Sequence, residues 1–150
     1  MTTTFVETGT ILDRILAQTA IDVAARKQVM PLSALDRMAR VRGTPASLRS
    51  VLAGSDLSVI AEIKRASPSR GRFPVEIVPA AVAAEYLHGG AAALSVLTDG
   101  PYFQGSLHDL SDAATVAHHS SPPAPVLRKD FVLDEYQIHE ALALDRKSVV

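Results

Sequence analysis

A glutamate and two lysines stand in short β-rich segments, and these residue types suit acid–base chemistry. Glu62 and Lys64 are two residues apart in "SVIAEIK", and Lys129 stands in "PVLRKDF". A desolvated lysine beside other charged groups can donate a proton or form a Schiff base. Glu62 and Lys64 could instead form a buried ion pair that only fixes strand register, because desolvation offsets much of such a pair's attraction. The residue pattern alone leaves both interpretations open.

Two loops add side chains that could meet a ligand. The segment "RASPSRGRFP" carries Arg65, Arg70 and Arg72 among serines. Arginines and hydroxyl groups can bind a phosphate or a carboxylate, although a solvated basic loop has the same composition. Tyr102 and Phe103 lie in "TDGPYFQGS", where aromatic rings could contact a planar substrate or cover the core.

The elements that must position these residues alternate between strands and helices after residue 56. Strands are predicted at 57–64, 91–99 and 124–132, and helices at 79–90, 106–120 and 134–144, with Ser106 and Asp134 as N-caps. This alternation predicts βαβ units and a parallel sheet. Ligands bind at the carboxyl ends of parallel strands, which is where the glutamate and both lysines fall.

Alternate strand residues point to opposite faces, so each strand separates into two sets. In the first strand, the sets are Ile60, Glu62 and Lys64 on one face and Val59, Ala61 and Ile63 on the other. In the third strand, Leu127, Lys129 and Phe131 share a face. We expect the purely apolar set to meet covering helices and the sets with charges to face a ligand.

The first 56 residues read as an N-terminal helical extension. Apolar spacing predicts helices at 10–28, 30–40 and 43–54. Thr44 is the predicted N-cap of the third helix and Pro45 its first residue. We expect one domain with this extension at 1–56.

Composition excludes several classes of function. The net charge of -1 gives no bulk attraction to nucleic acid or anionic membranes. The absence of cysteine removes disulfides, zinc–thiolate sites and thiol catalysis. We also find no signal peptide, membrane-length apolar run, Walker motif or dinucleotide motif. We therefore predict a cytoplasmic protein without a metal site.

Three long motifs resemble one family. "VIAEIKRASPSRG", "GGAAALSVLTDGPYFQGS" and "PVLRKDFVLDEYQIHEA" are similar, in order and spacing, to indole-3-glycerol-phosphate synthase of tryptophan biosynthesis, over about residues 5–144. The resemblance implies a (β/α)8 barrel. It also implies conversion of 1-(2-carboxyphenylamino)-1-deoxyribulose 5-phosphate to indole-3-glycerol phosphate, with loss of carbon dioxide and water. It implies no metal or organic cofactor.

The resemblance also assigns roles to matching residues. It implies that Lys129 is the general acid for the substrate ketone and that Lys64 binds the substrate near its carboxylate. Glu62 would orient the substrate and the lysines. Ser67 and Pro68 would lie on a mobile loop that contacts substrate. The residues implied to form the apolar wall around the anthranilate ring are Leu97, Phe103 and Phe131.

The matched motifs cover only part of the expected barrel. A full barrel needs about 250 residues, and residues 57–144 supply the first three βα units. The family's later glutamate base, its asparagine and its phosphate site have no counterpart here. We expect residues 1–150 alone to be a poorly stable monomer without synthase activity. Fusion to, or association with, other tryptophan-pathway enzymes stays open.

The final residues, 145–150, read "DRKSVV" and depart from the family pattern. One reverse translation of them matches a common sequencing-library adapter. We therefore interpret 145–150 as a non-native tail of a truncated gene model.

Two alternative functions are weighed against a synthase. The neighbouring isomerase of the same pathway, phosphoribosylanthranilate isomerase, works with a cysteine that this chain does not have. A non-catalytic barrel remnant is the alternative outside enzymes.

Overall fold

The computed structural model describes residues 6–42, 46–144 and 148–149. Its helices are α1 (Ile11–Val29), α2 (Leu32–Arg42), α3 (Leu48–Leu52), α4 (Pro79–His88), α5 (Leu107–His119) and α6 (Glu135–Leu144). Its strands are β1 (Ile60–Ile63), β2 (Ala66–Ser67), β3 (Gly71–Arg72), β4 (Ala93–Leu97), β5 (Val126–Lys129) and β6 (Ser148–Val149). Strand and helix alternate along the second part of the chain, as predicted.

The main sheet is parallel, with the order β1-β4-β5-β6. The three longer strands fall within the three predicted segments, which confirms the parallel α/β arrangement. Three short strands were not predicted. Strands β2 and β3 form an antiparallel hairpin inside the basic loop, and β6 pairs with β5. The interpretation of 145–150 as a non-native tail stays a prediction.

One face of the sheet packs against α4 and α5. All five residues of β4 are buried, as its nearly continuous apolar run predicts for a strand covered on both sides. The core on this face includes Ile63, Leu94, Val96 and Val126, with Ala61 packed beside them. Val59 was expected to join this face, but it precedes β1 and remains 50% exposed. The prediction for Val59 was therefore wrong.

The helical extension packs on α6 through a second buried cluster, which contains Val23, Leu35, Tyr136 and Ala143. The Tyr136 hydroxyl donates hydrogen bonds to the backbone oxygens of Arg26 and Met30, at 3.2 and 2.9 Å. These bonds join α6 to the end of α1. Among the described residues, no helix combines the length and the apolar character needed to cross a membrane.

Helix caps agree with the sequence at two of three predicted positions. Ser106 caps α5 by accepting from the Asp109 amide, and Asp134 accepts from the Tyr136 amide at the start of α6. The third helix is shorter than predicted, because Ser47 caps it and it begins at Leu48. The expected cap, Thr44, and Pro45 lie outside the described residues.

Candidate active site

Strand register brings the predicted charged residues onto one face of the sheet. Glu62 on β1 is paired with Ser95 on β4, and Ser95 is paired with Leu127 on β5. Two residues further along, Leu97 is paired with Lys129, and Lys64 follows β1 at the same level. Register partners in a parallel sheet point the same way. The opposite face is occupied by the helix-covered core, so these residues face away from the helices.

Lys64 is held by a carboxylate and an aromatic ring. Its ammonium group forms an ion pair with Glu62 and lies 6.0 Å from the centre of the Phe73 ring. The side chains of Lys64 and Glu62 are 30% and 33% exposed. The pair is therefore partly exposed within the described part of the chain.

Lys129 ends β5 with an exposed side chain. No ion pair or side-chain hydrogen bond involves Lys129 within the described parts of the chain. Its backbone oxygen accepts from the Thr98 amide at 3.2 Å, which ties the ends of β4 and β5 together. An exposed ammonium group on a fixed backbone is able to deliver a proton to a ligand on this face.

The residues beside Lys129 form a buried charged cluster that the sequence reasoning missed. Arg128 binds Asp130 at 2.8 Å and Glu140 at 2.9 Å, and its side chain is 1% exposed. Thr98 donates to the same Asp130 oxygen at 2.7 Å. The other Asp130 oxygen accepts from the Phe131 amide at 2.9 Å. The sequence signal was a charged residue, Arg128, at a strand position that faces the covering helices, between Leu127 and Lys129 on the opposite face.

The predicted apolar wall is only partly assembled by described contacts. The rings of Phe103 and Phe131 contact each other, with centroids 6.3 Å apart, and Leu97 is buried nearby on β4. Asp99 fixes the Phe103 loop by accepting from the Tyr102 and Phe103 amides, at 2.8 and 3.1 Å. Burial raises the pKa of Asp99 above its ordinary value.

A close backbone approach also fixes this loop. A Cβ atom at Gly105 would lie 2.1 Å from the Leu97 backbone oxygen. Only glycine fits there, and the loop after β4 is thereby held against the end of its own strand.

The basic loop after β1 divides into a fixed base and an exposed tip. Arg65 pairs with Asp109 at the start of α5 and donates to the Ile77 oxygen at 3.1 Å. Arg65 thus holds the loop against the start of α5, and its guanidinium group is already occupied by Asp109 and Ile77. Ser67 lies in the hairpin and Pro68 is exposed beside it. No hydrogen bond of the described chain joins these two residues to the charged face.

Ser95 is a second residue that the sequence reasoning missed. Its hydroxyl oxygen is buried and has no hydrogen-bond partner among the described residues. The signal was a polar residue inside the apolar run "AAALSVLTD", at a position that shares a face with Glu62.

Comparison with known proteins identifies a single family. The family model described as indole-3-glycerol phosphate synthase matches residues 12–150. A relative of that name from Mycobacteroides abscessus is 45% identical over 135 residues, which cover 90% of this chain and 48% of the relative.

Two further relatives carry the same name. The one from Chromobacterium violaceum is 44% identical over 89% of this chain and 50% of its own length. The one from Desulfosudis oleivorans is 43% identical over 93% of this chain and 53% of its own length. The chain spans about half the length of the curated relatives it matches.

Proposed function

The chain belongs to the indole-3-glycerol phosphate synthase family, and we propose that it supplies the acid-bearing part of that family's active site. The fold we propose is the first three βα units of a (β/α)8 barrel, at 57–144, behind a helical extension at 1–56. The substrate is the phosphorylated 1-(2-carboxyphenylamino)-1-deoxyribulose. The reaction is its conversion to indole-3-glycerol phosphate.

The observation that carries the proposal is the row formed by Lys64, Leu97 and Lys129 on one face. Neighbouring strands are about 4.8 Å apart, so the two lysines stand about 10 Å apart at the backbone, with a buried leucine between them. The ammonium groups of Lys64 and Lys129 can then reach one anionic ligand from two sides while its apolar part lies on Leu97. Such a row fits a substrate with a carboxylate, an aromatic ring and a ketone.

Ring closure defines the role of Lys129. The ring carbon that bears the carboxylate attacks the ketone carbon, and a bond forms between them. The Lys129 ammonium gives a proton to the ketone oxygen as negative charge develops on it. Loss of carbon dioxide returns the bonding electrons to the ring. The new hydroxyl group then takes up a proton and leaves as water, while the neighbouring carbon next to the nitrogen gives up a proton to form the double bond that completes the indole.

Lys64 and Glu62 serve the carboxylate side of the substrate. The ion pair of Lys64 is partly exposed within the described part of the chain, so the substrate carboxylate can replace Glu62 as its partner. Glu62 then orients the Lys64 side chain toward the substrate carboxylate. The contact between Phe103 and Phe131 supports a role for these rings, with Leu97, in fixing the anthranilate ring. Ser67 and Pro68 contact substrate from the loop.

We propose that the protein uses no metal or organic cofactor and that it is located in the cytoplasm. Fusion to or association with other enzymes of tryptophan biosynthesis is compatible with the fold. Residues 1–150 by themselves have little or no synthase activity, since the base and phosphate site come from elsewhere in the barrel.

The test joins residues 1–144 to the part of the Mycobacteroides abscessus relative beyond the matched region, and measures formation of indole-3-glycerol phosphate. We expect turnover by this fused protein and its loss in Lys129→Met. Lys27→Met is the matched control, because Lys27 pairs with Asp134 away from the charged face. A folded fused protein without turnover would favour a non-catalytic remnant, whereas equal turnover in the two variants would contradict the acid role of Lys129.

A further inference from the structure

Ser95 is an unexplained polar residue at the centre of the sheet. The residue is 5% exposed, and its hydroxyl has no hydrogen-bond partner in the described chain. Its strand neighbours Leu94 and Val96 are fully buried and apolar. Burying an unpaired hydroxyl costs free energy, so alanine would be the more stable choice here. A buried polar group that stabilises nothing in the resting fold calls for a functional explanation.

The register places Ser95 beside Glu62. The two residues are partners across β1 and β4, with strands about 4.8 Å apart and side chains on one face. In the described state one Glu62 oxygen, Oε1, is bound to the Lys64 ammonium group. The Glu62 side chain has three rotatable bonds, so its carboxylate can turn from Lys64 toward the neighbouring strand that carries Ser95.

We propose that Ser95 is a positioning residue for Glu62. When the substrate carboxylate draws Lys64 away, the Ser95 hydroxyl donates a hydrogen bond to the Glu62 carboxylate. The carboxylate is then held in place after losing its ion-pair partner. The inference rests on the proposed function, because that function supplies the anion that engages Lys64.

Ser120 offers a matched structural serine. Its hydroxyl donates to the backbone oxygens of Ala117 and Pro122, at 2.7 and 2.9 Å, at the end of α5. Ser120→Ala removes satisfied hydrogen bonds, whereas Ser95→Ala removes an unsatisfied group. The same change should therefore have opposite effects on stability at the two positions.

The first measurement is urea unfolding of the fused protein, monitored by circular dichroism. We expect Ser95→Ala to leave the urea midpoint unchanged or raise it, and Ser120→Ala to lower it by roughly 0.5 M. A loss in Ser95→Ala as large as that in Ser120→Ala would show that the hydroxyl is already bonded in the resting fold, and the proposal would fail.

The second measurement repeats Ser95→Ala in a Lys64→Met background, which imitates the departure of the lysine. There the hydroxyl has Glu62 as its partner, so Ser95→Ala should now lower the midpoint, a reversal of sign. Lys64→Gln serves as the background if Lys64→Met does not fold. An identical effect of Ser95→Ala in both backgrounds would overturn the proposal.

The kinetic measurement separates this inference from the proposed function. In the fused protein we expect Ser95→Ala to lower kcat about tenfold with KM changed less than about twofold, and Ser120→Ala to change neither. Ser95→Cys, a weaker donor of similar size, should be intermediate. An inactive parent protein would contradict the proposed function, while the sign reversal in urea would still decide the role of Ser95.

Discussion

Arg128 and Lys129 are adjacent cations on one strand and have opposite surroundings. The Arg128 side chain is 1% exposed and is bound by Asp130 and Glu140. Lys129 is exposed and has no ion pair within the described residues. The strand period alone separates them, since one residue faces the helices and the next faces the open side of the sheet. A cation on the covered face must be satisfied by the fold, whereas one on the open face is free to act on a ligand.

The largest expected effect tests the covered side. Arg128→Met leaves the buried carboxylates of Asp130 and Glu140 without their shared partner, and we expect a loss of about 3–5 kcal/mol in the free energy of unfolding. Urea unfolding of the fused protein measures this loss. The control is Arg49→Met at an exposed position of α3, which should stay within about 0.5 kcal/mol. An equal loss of unfolding free energy in Arg128→Met and Arg49→Met would show that burial of Arg128 between two carboxylates does not matter for stability.

The next effect tests the open side. Lys129→Met in the fused protein should lower kcat at least about a hundredfold, because a positioned general acid contributes about 10²–10⁴. The urea midpoint of the fused protein should hardly change, since no described ion pair is broken. If Lys129→Met lost stability but kept its turnover, Lys129 would have a structural role and not a catalytic one.

An intermediate case lies at the edge of the covered cluster. Arg26 binds Glu140 at 2.8 Å and its side chain is 32% exposed. Arg26→Met should cost only about 1 kcal/mol, because Glu140 retains Arg128 and solvent replaces part of the pair. If unfolding measurements gave a loss as large as that of Arg128→Met, burial would not explain the difference between the cations.

The smallest effect concerns an exposed pair and depends on pH. Lys27 holds the pKa of Asp134 below its ordinary value. A lowered carboxyl pKa stabilises the fold above the pKa of the unfolded state, and this contribution disappears as pH falls through the lower folded value. Lys27→Met should cost at most about 0.5 kcal/mol at pH 7, and the difference should vanish once the pH falls below the lowered pKa of Asp134. A difference that persists in acid would show that the Lys27 contact with Tyr136 matters more than charge.

Much of the architecture followed from local pattern. The apolar run of β4, the caps at Ser106 and Asp134, and the charged face of β1 depend on neighbours within a few residues. Ser47 caps the third helix in the structure; serine and threonine recur in that segment, and composition alone does not say which one begins the helix. Local sequence signals therefore predict which helices and strands form more reliably than the residues at which they begin and end.

The parts that could not be predicted depend on residues far apart in sequence. Arg65 meets Asp109 across 44 residues, so its role in holding the loop was invisible in a segment that read as a basic ligand site. The missing partner of Ser95 is likewise a property of the assembled sheet. Periodicity predicts which face a side chain occupies, but only tertiary structure determines what it meets there.

Tyr136 gives the chain a natural optical reporter. The sequence has no tryptophan and three tyrosines, of which Tyr136 is 2% exposed and Tyr86 is 37% exposed. Burial raises the pKa of Tyr136 above its ordinary value, so its ionisation in an alkaline titration reports on its buried position. Because its hydroxyl binds the end of α1, tyrosine fluorescence and absorbance can follow detachment of the helical extension without any attached dye.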